Sequence, residues 1–213
     1  MGTSKDKWFK QAKNYLTTRG ITEEQIFKHK IGFSLMGRYA YRVIFPVREE
    51  KKLVGFVSRS FINKEPRYLN SSGLKSLYNR ASTGKTPIVV GSEGVFKALK
   101  IERVVHGLKD SKVNSIAFLG HGLTDRQEDM LDGTKELVLW PDPDSVGIEG
   151  MIKIAQKMHD RMLVTFPYPM PTKQADEMED WEVVNALMQR KPYTNALGMQ
   201  YQHQMVMQKR LGI

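Results

Sequence analysis

The hydrophobic pattern changes period twice along this chain. Over residues 5–19 the apolar positions Trp8, Phe9, Ala12, Tyr15 and Leu16 fall near one face of a helix, and Gly20 is a natural stop. TEEQ, Thr22 to Gln25, is a capping-box pattern that opens a short second helix. YAYRVIFPV and LVGFVSRSFI are then rich in aromatic and β-branched residues and are joined by the polar REEKK, which predicts two antiparallel strands and a charged turn. Residues 63–85 carry loop signals in PRYLNSSG and NRASTGK. From Pro87 onward strand and helix patterns alternate. PIVVG, SIAFLG, KELVLW and MLVTF predict strands. Helices are expected to start near SEGVFKALK with Ser92 as cap, at the Thr124–Gln127 capping box, over about Ser145–Met158, and through ADEMEDWEVVNALMQR. Repeated strand–helix units predict a parallel sheet covered by helices. The tail after Pro192 reads as helical.

This pattern implies an α/β fold in three parts. A basic α+β subdomain spans 1–85, an α/β subdomain spans 86–190, and a helical tail covers 191–213. Charge supports the division. Residues 1–85 hold 18 Lys+Arg against 6 Asp+Glu, a net of +12, whereas the remainder holds 15 against 17, a net of −2. A basic half beside a near-neutral half suits a polyanion held by one part and chemistry done by the other.

Composition then removes several classes. The chain of 213 residues has no cysteine, so disulfides, zinc ribbons and thiol nucleophiles are excluded. The five histidines are scattered without zinc-ligand spacing. No apolar run approaches the ~18 residues that span a bilayer, and MGTSKDKWFK lacks a signal-peptide core, which predicts a cytoplasmic protein. STGKT, Ser82 to Thr86, lacks the leading glycine of a phosphate-binding loop, because Asn79 stands there, and it precedes a strand rather than a helix.

Candidate chemistry gathers where α/β sheets place it, at the carboxyl ends of strands. Glu93 follows PIVVG, Asp142 and Asp144 follow KELVLW, and Asp176 lies beyond MLVTF and its PYPMPTKQ loop. Clustered carboxylates repel one another, and a hard divalent cation removes that cost. Oxygen-only ligands suit Mg²⁺ or Mn²⁺. A plainer role for Asp144 is to cap the helix that begins at Ser145.

VVGSEGVFKAL followed by LWPDPDSVG resembles the Toprim domain, with its Glu-Gly after the first strand and D-x-D-x-x-G after a later one. YLTTRGITEEQIFKHKIGFS, RVIFPV, LVGFVSRSF, PRYLNS, LKSLYN and FLGHGLTDRQ resemble, in order over about residues 10–185, the RNA-polymerase core of DnaG-type bacterial and phage primases. That resemblance implies a DNA-directed RNA polymerase, a nucleotidyltransferase that makes short RNA primers de novo on single-stranded DNA from ribonucleoside triphosphates. It implies that Glu93, Asp142 and Asp144 are catalytic, that these with Asp176 hold Mg²⁺ or Mn²⁺, and that Arg19, Arg59, Arg67 and Asn70 contact template or nucleotide phosphates. It also implies a replicative helicase or a separate zinc-ribbon protein as partner, and the host cytoplasm as the location if the gene is a phage's. Two positions depart from the family pattern: Lys97 stands in place of an aspartate four residues after Glu93, and Gln174 in place of the first aspartate of a later D-P-D motif. Two alternatives stay open on these residues, a Toprim nuclease and a non-catalytic module that binds single-stranded DNA.

Overall fold

The structure, a computed structural model, describes residues 4–80, 86–120 and 122–211. Ser82–Lys85 of the STGKT loop and His121 lie outside the described residues. The chain divides into two compact units, Met1–Ser76 and Leu77–Ile213.

In the first unit, helix α1 (Ser4–Thr18) buries Ala12 and Leu16 on the face that the sequence pattern marks out. Helix α2 (Glu23–Lys28) starts at the Thr22 capping box, with Thr22 and Gln25 each satisfying the other's backbone N–H. Strands β1 (Gly32–Ser34), β2 (Arg42–Glu49) and β3 (Lys52–Ser60) form an antiparallel sheet in the order β1-β2-β3. Val43, Phe45 and Val47 alternate into the core, as the period of two requires. The three-residue β1 is too short to leave a periodic signal.

Residues 67–71 run along the free edge of β3 through Ser60 N–H to Arg67 O (2.9 Å), Leu69 N–H to Ser58 O (3.0 Å) and Ser71 N–H to Phe56 O (3.0 Å). Buried Arg42, 1% exposed, anchors this run by donating to the carbonyls of Pro66 and Arg67. A guanidinium taken out of water needs such acceptors, and two carbonyls supply them.

The second unit is a five-stranded sheet in the order β5-β4-β6-β7-β8, built from β4 (Ile88–Ser92), β5 (Val113–Ala117), β6 (Glu136–Leu139), β7 (Leu163–Phe166) and β8 (Lys191–Pro192). All pairings are parallel except β7 with β8. Both faces are covered. Val89, Leu137 and Leu139 point into one core with Ile148, Met151 and Ala155 of helix α5 (Ser145–Met158). Val90 and Val138 point into the other, with Ile101, Val104 and Val105 of helix α3 (Val95–His106) and Val183 and Leu187 of helix α6 (Asp180–Met188). Burial on both faces is why these strands read as continuous apolar runs rather than as alternations. Helix α4 (Asp125–Asp129) begins at the expected Thr124–Gln127 capping box. The tail forms helix α7 (Asn195–Leu211), whose Leu197 and Tyr201 join the first core and whose Tyr201 hydroxyl donates to Pro167 O at 2.6 Å.

Two local expectations need correction. Helix α3 starts at Val95 with Gly94 as its cap residue, so Ser92 is not a cap. It is the last residue of β4, fully buried, with its hydroxyl turned to the carbonyls of Gly94 and Ile116. The helix expected through ADEMEDWEVVNALMQR is broken: Ala175–Glu177 form a single 3₁₀ turn, and α6 begins only at Asp180. Ala175 is fully buried in the second core, which pins that turn. Near the expected border at 85–86, Leu77, Tyr78 and Asn79 already pack within the second unit. Tyr78 pairs with Ala117, and Asn79 donates to Glu102 and Ser115 O.

Two predictions follow from this packing. A Cβ on Gly91 would lie 2.3 Å from Cζ of buried Phe118, so Gly91→Ala is expected to destabilise the fold by roughly 1–3 kcal/mol. Adding Phe118→Leu should recover part of that loss, as read by denaturant unfolding of the single and double variants. Buried Glu136 accepts from Arg190 Nε (2.5 Å) and Nη2 (2.9 Å) and from Thr165 Oγ1 (2.8 Å). Burial pushes its carboxyl up, but the hydrogen bonds from Arg190 and Thr165 outweigh it and hold the group below its ordinary value of 4.5. A depressed native value gives stability that is full above about 4.5 and fades as pH falls through the native value. Thermal melts against pH should therefore show the wild type losing stability below about pH 4.5, and Arg190→Met should lie below it at neutral pH and converge with it in acid.

Candidate active site

The parallel pairing of β4 with β6 decides which side chains can meet. Gly91 is in register with Leu139, and Trp140 N–H extends the ladder to Gly91 O at 2.8 Å. Glu93 leaves β4 two residues beyond that rung and Asp142 leaves β6 three residues beyond it, so both emerge from neighbouring strands at the same sheet edge.

Gly147, in the first turn of α5, shows how close they come. A Cβ there would lie 2.7 Å from Asp142 Cβ, 3.0 Å from Asp142 N and 2.9 Å from Glu93 Oε1. The glycine of D-x-D-x-x-G is thus required by space. Its missing side chain forms the floor on which Glu93 and Asp142 converge.

Asp144 is the N-cap of α5. Its Oδ1 accepts from Gly147 N–H at 2.7 Å, so the capping role open to it in the sequence is the one it adopts. The same bond ties the Asp144 carboxylate to the backbone of the glycine that separates Glu93 from Asp142.

Lys97 completes this group. It projects from the first turn of α3, is 8% exposed, and donates its ammonium to Asp142 Oδ1 in an ion pair whose partners are both largely buried. The family resemblance marks Lys97 as a departure from an acidic pattern, and nothing in the local pattern says where its charge goes.

Asp176 sits on the 3₁₀ turn Ala175–Glu177, which packs against α3. Gln174 precedes that turn and shares a reciprocal cap with Glu177, with Gln174 N–H donating to Glu177 Oε2 at 3.3 Å. Among the described residues, no three His, Asp or Glu side chains lie close enough together to form a ready-made metal cage. The structure brings Glu93 and Asp142 together, with Asp144 linked through the Gly147 backbone, and pairs Asp142 with an ammonium. The donor chemistry, oxygen-only carboxylates drawn together over a residue with no room for a Cβ, is of the kind a hard divalent cation takes.

In the first unit, Arg59, Arg67 and Asn70 lie along the β3 edge, whereas Arg19 lies at the end of α1. Arg59 pairs across to Tyr68, its guanidinium lies 4.4 Å from the centre of that ring, and its Nε donates to Tyr15 Oη at 3.2 Å. Arg67 is exposed beside it, held at its backbone N–H by Glu65 at 2.9 Å, and exposed Asn70 lies three residues further along the same run. Tyr15 comes from α1, and Arg19 follows the end of that helix, half-buried, with its N–H bonded to Leu16 O. Tyr68 and Tyr15 are the partners that fix Arg59, and only the tertiary pairing reveals them.

No family model matches the chain. Among curated proteins, it is 28% identical over 176 residues to the DNA primase of Staphylococcus aureus (strain COL), an alignment covering 77% of this chain and 28% of that protein. The chain thus spans less than a third of the length of that relative. Among solved structures, it matches a DnaG primase catalytic domain bound to single-stranded DNA with a TM-score of 0.71 and 20% identity, over 85% of this chain and 72% of the other. It matches the Aquifex aeolicus primase, zinc-binding and RNA polymerase domains, with a TM-score of 0.72 and 19% identity, over 86% and 56%. Sequence likeness and shared architecture together place the fold of this chain with the DnaG-type DNA primase catalytic core.

Proposed function

We propose that this chain is a primase core, a DNA-directed RNA polymerase that starts short RNA primers de novo on single-stranded DNA. The observation that carries the reading is the meeting of Glu93 and Asp142 over Gly147, at the carboxyl ends of adjacent parallel strands. The Toprim pattern of the sequence, the likeness to curated primases and the fold all support it.

In this reading Glu93, Asp142 and Asp144, with Asp176 in support, hold Mg²⁺ or Mn²⁺. When bound, such an ion neutralises charge on the phosphoryl oxygens and lowers the pKa of the attacking 3′-hydroxyl. The chain's own residues do the rest. Gly147 keeps the floor of the site open, and the Asp144 cap fixes the start of α5 beside it. Arg59, Arg67, Asn70 and Arg19 of the basic unit bind template and nucleotide phosphates. Charged and amide donors suit phosphate oxygens without reading base sequence.

In this reading the template is single-stranded DNA, which the similar DnaG catalytic domain binds, and the substrates are ribonucleoside triphosphates. A separate zinc-ribbon protein or a replicative helicase would supply start-site choice and placement at the fork. Among the described residues no helix is long and apolar enough to cross a membrane.

The experiment is de novo synthesis on mixed-sequence single-stranded DNA with four labelled ribonucleotides and Mg²⁺ or Mn²⁺. Wild type is expected to yield short RNA, and Asp144→Asn to lose at least 100-fold, on the order of a removed electrostatic stabiliser. Shortened template would point to a nuclease. No product beside intact, salt-sensitive DNA binding that Asp144→Asn leaves unchanged would point to a binding module.

A second expectation concerns Gly147. Gly147→Ala should leave template binding within about 2-fold but cut primer yield by ~100-fold, since displacements near 1 Å at reacting groups cost about that much. Filter binding and the same synthesis assay separate the two effects.

A further inference from the structure

Lys97 is the feature that the proposed function does not use. Its side chain is 10% exposed and that of its partner Asp142 13% exposed, so the pair is largely removed from water. An ammonium in such a place must be matched by an anion, and an aspartate in such a place by a cation. The carboxylate that Lys97 neutralises is the one that meets Glu93 over Gly147. The lysine therefore stands inside the acidic group.

We propose that Lys97 is a fixed internal cation that competes with a divalent ion for Asp142 and so weakens its binding, an inference that rests on reading Glu93, Asp142 and Asp144 as a metal site. A divalent cation and the ammonium both seek Asp142, and the positive charge already present weakens the approach of another. In the metal-free chain the ammonium keeps Asp142 from being a buried charge without a counter-ion. Lys97 is thus a positioning residue that determines how tightly a divalent ion binds.

The test reads metal binding directly on the full chain, by loss of the free-ion signal of Mn²⁺ in electron paramagnetic resonance. Lys97→Met, which keeps a long side chain and removes the charge, is expected to bind Mn²⁺ at least 10-fold more tightly than wild type, and Lys97→Arg should behave as wild type. Thermal melting gives a second readout and confirms folding. In chelator, Lys97→Met should melt below wild type, and saturating Mn²⁺ should raise its midpoint by more than it raises that of wild type.

Equal affinity in wild type and a folded Lys97→Met would overturn the role of Lys97 while leaving the metal site intact. If wild type and every variant fail to bind Mn²⁺ while remaining folded, the metal-site reading itself falls and takes the proposal with it. Primer synthesis is scored separately, so the two failures are distinguishable.

Discussion

The parallel pairing of β4 with β6 is the constraint on which the catalytic candidates depend. The register of Gly91 with Leu139 sets Glu93 and Asp142 at one sheet edge before any side-chain choice is made. That register is itself enforced by packing. Val89 and Leu137 enter one core, Val90 and Val138 the other, so a slip of one residue would exchange the two faces. Gly91 admits the ring of Phe118 against the sheet, and Gly147 admits Asp142 and Glu93 against α5. The two glycines do different work with the same missing atom: one lets the core close, the other keeps a site open.

Within the second unit, buried Glu136 and buried Lys100 each meet an opposite charge. Glu136 is held by Arg190 and Thr165, and Asp180 by Lys100 (2.6 Å) and by the two terminal nitrogens of Arg103 (2.8 Å each). The hydrogen bond from Lys100, joined by those from Arg103, holds the Asp180 carboxyl below its ordinary value and tethers α3 to α6. Lys97 with Asp142 is a further such pair, at the edge where chemistry is expected. Pairs that tie one element to another contribute to the fold. A pair at the mouth of a site sets the charge that an incoming cation meets.

Much of this was legible in the chain itself. The strands of the second unit are buried on both faces and therefore wrote themselves as short apolar runs. The Thr22 and Thr124 capping boxes fixed two helix starts. D-x-D-x-x-G marked Asp142, Asp144 and Gly147 together. What could not be read has physical causes. β1 and β8 are too short to carry a period. Ser92 resembles a cap by residue type, but burial between β4 and its neighbours gives its hydroxyl other acceptors. The break between Asp176 and Asp180 follows from tertiary burial of Ala175, which local propensity does not register. The Lys97–Asp142 ion pair joins residues 45 positions apart, and no local pattern announces a partner at that distance.

The two departures from the acidic pattern differ in what they can change. Gln174 precedes a 3₁₀ turn held by its reciprocal cap with Glu177 and by the buried Ala175, so its identity is absorbed into local structure. Lys97 lies on a helix whose position is fixed by Ile101, Val104 and Val105, none of which depends on the charge at position 97. The apolar scaffold therefore sets the position without itself requiring a lysine there; it is Asp142 that calls for the charge. A position placed by apolar packing but directed at a carboxylate is where a protein can alter its response to cations without altering its architecture. For that reason the oxygen atoms of Asp142, rather than the sheet that carries them, are where this core can differ chemically from relatives that share its fold.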